Sequence, residues 1–339
     1  MSARITLRQV AEAARISLAG ASMALRDCPN ISPATRQRVQ ELARKMGYRP
    51  DPALSIIAAH RWRAREGFSG VVLAYLVQAY PGSPAQRIFN SLQPAAERHG
   101  YHIEMFDRVQ SGGDTELSRL LIKRGIRGVL CGPMPVDRPP PALDWDHFSV
   151  VSCGWKDPHC PFHSVESDYF ASMELAWEEV WKLGYRRIGL ATFLHEPPDV
   201  DDERRMGAVL WRLDRLRPSN LRIPPLTCHP LDRAAFLKWF NRHRPEAVIA
   251  LHIPPLNWLR AAGWRVPQDA GFACLLGQRP PDCAGLVDAM DARAEAAIDL
   301  VDSELRHSRR GIPALARTVL IEPTWQPGPT LVARTASSG

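Results

Sequence analysis

Twelve Lys and Arg stand against four Asp and Glu in residues 1–65, while the remaining residues hold 31 against 32. Cations gathered in one short segment neutralise phosphates and release the counterions condensed on a polyanion. A solvated basic face is the competing explanation. A second set, Cys153, His159, Cys160 and His163, offers zinc-type donors, but Pro158 and Pro161 interrupt it and favour a plain surface loop. Glu178-Glu179 and Asp201-Asp202 fall on helices or helix starts, where carboxylates need no catalytic role. The chain has no G-x-x-x-x-G-K-[ST], G-x-S-x-G or H-E-x-x-H sequence, so neither an enzyme nor a cofactor or metal is expected.

The basic segment is punctuated as short helices. Thr6 and Gln9 have capping-box spacing, opening a helix from about Leu7 to Ala14 with Val10, Ala11 and Ala14 inward. Ser17 is a second N-cap, for a helix that turns Ala21, Ala24 and Leu25 inward. Ser32 followed by Pro33 opens a third, with Val39, Leu42, Ala43 and Met46 at a helical period and Gly47 to end it. Two short helices across a tight turn, braced by a third, make a helix-turn-helix. Asp51 and Pro52 then open the apolar run Ala53–Ala59, too short to be a stable helix on its own.

The segments TLRQVAEAA, IS, ASMAL, NISPATRQRV and GYRPD resemble the DNA-binding head of the lactose-repressor (LacI/GalR) family of bacterial transcription regulators. The resemblance is specific over about fifty residues and looser beyond. It implies base-edge reading at Leu18, Ala19 and Met23, with Ser17, Ser22, Arg26 and Asn30 as phosphate contacts and Thr6 and Tyr48 on the same interface. It implies a hinge helix that folds on DNA, pairs with its dimer mate and wedges Ile57 into the minor groove. The reading positions here are apolar. They can touch a thymine methyl but make none of the hydrogen bonds that distinguish bases. Arg15 stands where the family has Gly, which is strained if its φ is positive, and Ser55 stands where the hinge often carries a basic residue.

About 270 residues follow, enough for two α/β lobes. Strands are expected at GVVLAYLV, YHIEMF, GVLC, FSVVS, RIGLA, AVIAL, GFACLL and TVLIE, and helices near 84–99, 115–124, 169–183, 201–216 and 291–306. Gly100, Gly125 and Gly184 stop three of them. Pro clusters at 133–141, 218–225 and 253–255 read as loops. Repeated βα units imply parallel sheets covered by helices on both faces. The resemblance supplies the architecture: a two-lobed, periplasmic-binding-protein-like core. The expected boundaries are a head over 1–49, a hinge and linker over 50–68, and a core over 69–339. Lobe 1 would take about 69–162 and 291–322, and lobe 2 about 163–290 and 323–339.

By the same resemblance, Asp168 and Arg204 belong to the cleft, Arg204 either clamping a ligand or bridging the lobes. Trp155, like Trp145, can stack on a sugar ring, although packing is the commoner fate of such residues. Trp177 and Trp181, one turn apart, read as core or dimer interface. The polar pairs that bind sugars in the family are replaced by His252-Ile253 and Leu276-Gly277, so a typical hexose is not implied. The expectation is a homodimeric repressor on double-stranded operator DNA, modulated by a small molecule such as a sugar or related metabolite. No apolar run approaches membrane length, no signal peptide is evident, and seven Cys lack C-x-x-C pairing, so a cytoplasmic protein is expected. Two alternatives remain open: a DNA-binding regulator without a small-molecule switch, and a ligand sensor whose head has lost base specificity.

Overall fold

The computed structural model describes residues 5–25, 31–48, 71–78, 80, 82–135, 141–154, 160–192, 200–227, 232–277 and 279–334. The head comprises α1 (Leu7–Ala13), α2 (Leu18–Leu25) and α3 (Pro33–Met46). Val10, Ala14, Ala24, Val39 and Ala43 form its small core, with Ile5, Ile16, Leu42, Met46 and Tyr48 packed around them. The hinge expected over 50–68 lies outside the described residues.

Two sheets organise the rest. The first contains β1 (Val71–Val77), β2 (Tyr101–Asp107), β3 (Gly128–Cys131), β4 (Ser149–Ser152), β5 (His163–Ser167) and, from far along the chain, Thr318–Ile321. Its order is Thr318–Ile321, β5, β4, β3, β1, β2, and every pairing is parallel. Parallel strands need crossover connections, here α4 (Ala85–Arg98) and α5 (Asp114–Lys123). Apolar clusters lie on both faces, one holding Leu73, Tyr75, Ile88 and Ile298, the other Leu76, Leu117, Phe148 and Phe162.

The second lobe repeats the plan with α6 (Tyr169–Lys182), β6 (Ile188–Thr192), α7 (Val200–Arg215), β7 (Leu226–Thr227), α8 (Arg233–His243), β8 (Ala247–Ala250), α9 (Pro254–Ala261), β9 (Gly271–Cys274) and β10 (Gly285–Leu286). Then α10 (Met290–Arg306) packs back on the first sheet, β11 (Thr318–Ile321) completes that sheet, and β12 (Trp325–Gln326) closes the second antiparallel to β10. Gly189, mid-strand in β6, is needed because a Cβ there would lie 2.5 Å from the Trp239 indole.

Three expectations change. His163–Ser167 is a strand of the first sheet, paired with β4 and β11, so the chain enters the second lobe near Asp168 rather than at His163. Pro254 and Pro255 do not mark a loop: they occupy the first turn of α9, where proline's missing N–H costs no hydrogen bond. Helix α8 was not anticipated, although Asp232 caps it by accepting from the Ala235 N–H at 2.9 Å. The glycine stops hold, with φ of 78° at Gly100, 73° at Gly125 and 93° at Gly184.

Candidate nucleic-acid interface and interlobe cleft

Each head helix is positioned by its own cap. Thr6 Oγ1 accepts from the Gln9 N–H at 3.4 Å while Gln9 Oε1 accepts from the Thr6 N–H at 2.8 Å, completing the capping box. Ser17 Oγ accepts from the Gly20 N–H at 3.0 Å, which engages it in the start of α2. Ser32 Oγ accepts from Thr35 N–H at 3.3 Å, and Gly47 ends α3 at φ 72°. Gln40 on α3 donates to the Ala24 carbonyl at 3.2 Å, bracing α2 against α3. Between α1 and α2, Arg15 adopts φ 52°, a left-handed conformation that disfavours any residue with a Cβ.

Helix α2 buries Ala21 and Ala24 and leaves Leu18 52% exposed, with Met23 half-buried. An exposed leucine at the entry of a short helix, beside a buried alanine face, is available to a partner's apolar groups. Thr6 is exposed, and Tyr48 is half-buried against the head core with its backbone N–H on the Ala43 carbonyl. Ala19 and Ser22 lie within α2, their side chains not among those described. Arg26, Asn30, Ile57 and Trp155 lie outside the described residues.

The lobes meet where the chain passes between sheets. Asp168 caps α6, its Oδ1 accepting from the Ala171 N–H at 2.8 Å, while its own N–H donates to the Ile321 carbonyl at 3.0 Å and ties two passages together. Arg204, in α7 of the second lobe, is ion-paired with Glu166 of β5 in the first. Of the two roles kept open for Arg204, lobe bridging is the contact present.

One residue on, Arg205 points inward. It pairs with Asp202 at 3.3 Å and Asp201 at 3.8 Å and lies over the Tyr169 ring, 4.5 Å from its centroid. With Leu190, Thr192, Met206 and Leu275, Arg205 and Asp202 line a small pocket at the C-terminal edge of the second sheet, the usual place for ligands in open α/β sheets. Sequence reasoning passed over Glu166, Arg205, Tyr75 and Arg293. A signal existed for Arg205, acids three and four residues earlier on the same helix. Arg293 had one too, since it falls at an inward position of the period set by Met290, Ala294, Ala297 and Val301.

The remaining candidates are structural. Trp145 packs edge-on against Phe162 and Phe148 and donates to the Pro141 carbonyl. Trp177 is buried in the second lobe, and Trp181 carries the Arg186 guanidinium over its ring. His163 Nδ1 accepts from the Arg317 N–H at 3.0 Å, so that nitrogen is already used. Burial pushes the Cys131 and Cys153 thiols up and holds them neutral. Among the described residues no His/Cys/Asp/Glu group is arranged to hold a metal ion, and no helix is long and apolar enough to cross a membrane.

Residues 6–51 match the family model described as "Bacterial regulatory proteins, lacI family". The sucrose operon repressors of Shigella flexneri and Escherichia coli are each 24% identical over 294 residues, covering 80% of this chain and 85% of theirs. The N-terminal segment is therefore similar to the DNA-binding head of lacI-family bacterial regulatory proteins. The fold agrees: a solved complex of the transcriptional regulator CelR with cellobiose superposes with TM-score 0.57 at 19% identity, over 96% of this chain and all of that one. The lac repressor dimer bound to operator and the anti-inducer ONPF gives TM-score 0.57 at 14% identity, over 98% of this chain and all of that one. The two-lobed LacI-type core is therefore present around the Arg204–Glu166 bridge.

Proposed function

We propose that this chain is a LacI-family regulator, a homodimeric repressor that binds a near-palindromic operator through two heads. The observation that carries this reading is the head: a three-helix unit, each helix capped at its N-terminus, whose second helix leaves Leu18 exposed, inside the segment that matches the family model. Ser17, Ser22, Arg26 and Asn30 hold phosphates, with Thr6 and Tyr48 on the same interface. Leu18, Ala19 and Met23 face base edges, and Ile57 enters the minor groove between paired hinge segments. Apolar reading residues favour thymine-methyl contacts over guanine recognition.

A small molecule in the interlobe cleft changes the lobe angle and, through the hinge, the affinity for operator. Such coupling is typically ~1–3 kcal/mol. Asp168 and Arg204 sit on the cleft side of this switch, and Trp155 is assigned to stacking on the ligand. Sedimentation of the full chain with a labelled duplex tests the stoichiometry. Two chains per duplex, with affinity falling steeply as salt rises, is the expected result; one chain per duplex refutes the dimer.

A further inference from the structure

Arg293, in the first turn of α10, is 8% exposed, and its Nε has no hydrogen-bond partner. Among the described residues it forms no ion pair. Its charge is felt by Tyr169 and Asp201 of the second lobe, by Cys153 of the first, and by Asp288 at the crossing between them. Both acids have another cation near them: Asp201 lies 3.8 Å from Arg205, outside hydrogen-bond distance, and Asp288 lies 3.7 Å from Arg87 while accepting from the Met290 N–H. Tyr75, in β1, also interacts with Arg293, and its buried hydroxyl likewise lacks a partner. Its ring lies against Gly132, where a Cβ would come within 2.6 Å of it. Burial raises the Tyr75 phenol far above its ordinary range and keeps it a neutral O–H donor.

A buried guanidinium is costly unless it is paired. It has five N–H donors and no acceptor, and it does not deprotonate, so only an acceptor-rich group satisfies it. Carboxylate and phosphate oxygens match its planar fork and are its strongest partners. We infer that the cleft takes an anionic metabolite whose carboxylate or phosphate is bound by Arg293 and Tyr75 from the first lobe. The inference rests on the cleft being the effector site. A ligand held there also touches the second lobe at Tyr169 and Arg205, so its binding reports on lobe angle.

The test uses the full-chain protein without DNA, so loss of operator specificity does not enter the result. Thermal melts are recorded with gluconate, galacturonate, glucose 6-phosphate, glycerol 3-phosphate, glucose and galactose at matched ionic strength. At least one acid or phosphate raises Tm, its neutral parent does not, and the carboxylate and phosphate arms identify the anion. Arg293→Met abolishes that shift and Arg293→Lys weakens it at least tenfold in Kd. Without ligand, Arg293→Met leaves Tm unchanged or raises it, because an unpaired buried charge is removed. No acid or phosphate outperforming its neutral parent, or a lowered Tm for ligand-free Arg293→Met, overturns the inference.

Discussion

Arg204 and Glu166 join the two lobes: the first projects from α7, the second from the end of β5, and their side chains form an ion pair across the crossing. Their side chains remain 36% and 25% exposed, so solvent screens the pair and its contribution is modest. A double-mutant cycle of Arg204→Ala and Glu166→Gln, followed by urea melts, should give a coupling of roughly 0.5–1 kcal/mol. A coupling indistinguishable from zero would mean the bridge does not hold the lobes.

Helix α2 gives a sharper prediction. Met23 is half-buried beside exposed Leu18, and an arginine at position 23 would add a donor pair suited to guanine O6 and N7. Met23→Arg should therefore shift the selected half-site toward guanine, with about 1–3 kcal/mol of discrimination at one base pair. Identical selected sites for the two proteins would show that this face of α2 does not meet bases.

Local rules in the head can be tested by stability. Ser32→Ala removes the acceptor for the Thr35 N–H and should destabilise the head by about 1 kcal/mol. Arg15→Gly relieves a left-handed residue at φ 52° and should stabilise it by less than ~1 kcal/mol, part of the gain being offset by a freer unfolded chain. Hydrogen exchange at Val10 and Val39, both fully buried, reads the two changes in opposite directions.

His163 supplies a pH dependence. Burial, with Arg317 and Arg309 nearby, holds its pKa below the ordinary histidine value despite Glu304. The folded protein therefore keeps His163 neutral where the unfolded chain has already protonated it. Its contribution to stability is complete above the unfolded value near 6.5 and is lost as pH falls from there through the lower folded value. Urea melts across that window should show stability falling with pH. His163→Asn, which keeps an acceptor for the Arg317 N–H, should flatten the slope; an unchanged slope would assign it to another group.

The sequence was most readable where a signal is local. Caps at Thr6 and Ser32 and stops at Gly47, Gly100, Gly125 and Gly184 each act within a few residues. The strand His163–Ser167, absent from the expected strands, pairs with residues more than 150 positions away, such as Ser164 with Thr318, and no local period reveals a partner at that distance. Pro254-Pro255 misled because proline breaks a helix interior but suits a helix start. In the cleft, Arg204 was visible but its partner Glu166 was not, since a strand and a helix from different lobes bring them together. Arg293 shows the opposite failure: its inward helical position was legible, yet a charge there was not weighed as a site.

The most direct measurement is selection of binding sites from random duplexes by the purified full chain at near-physiological salt. Sequence-specific repression through paired heads predicts enrichment of a palindrome with two half-sites around a flexible pyrimidine–purine centre. Salt-labile binding with no enriched sequence would contradict it, leaving a ligand-sensing core on a head that does not read bases.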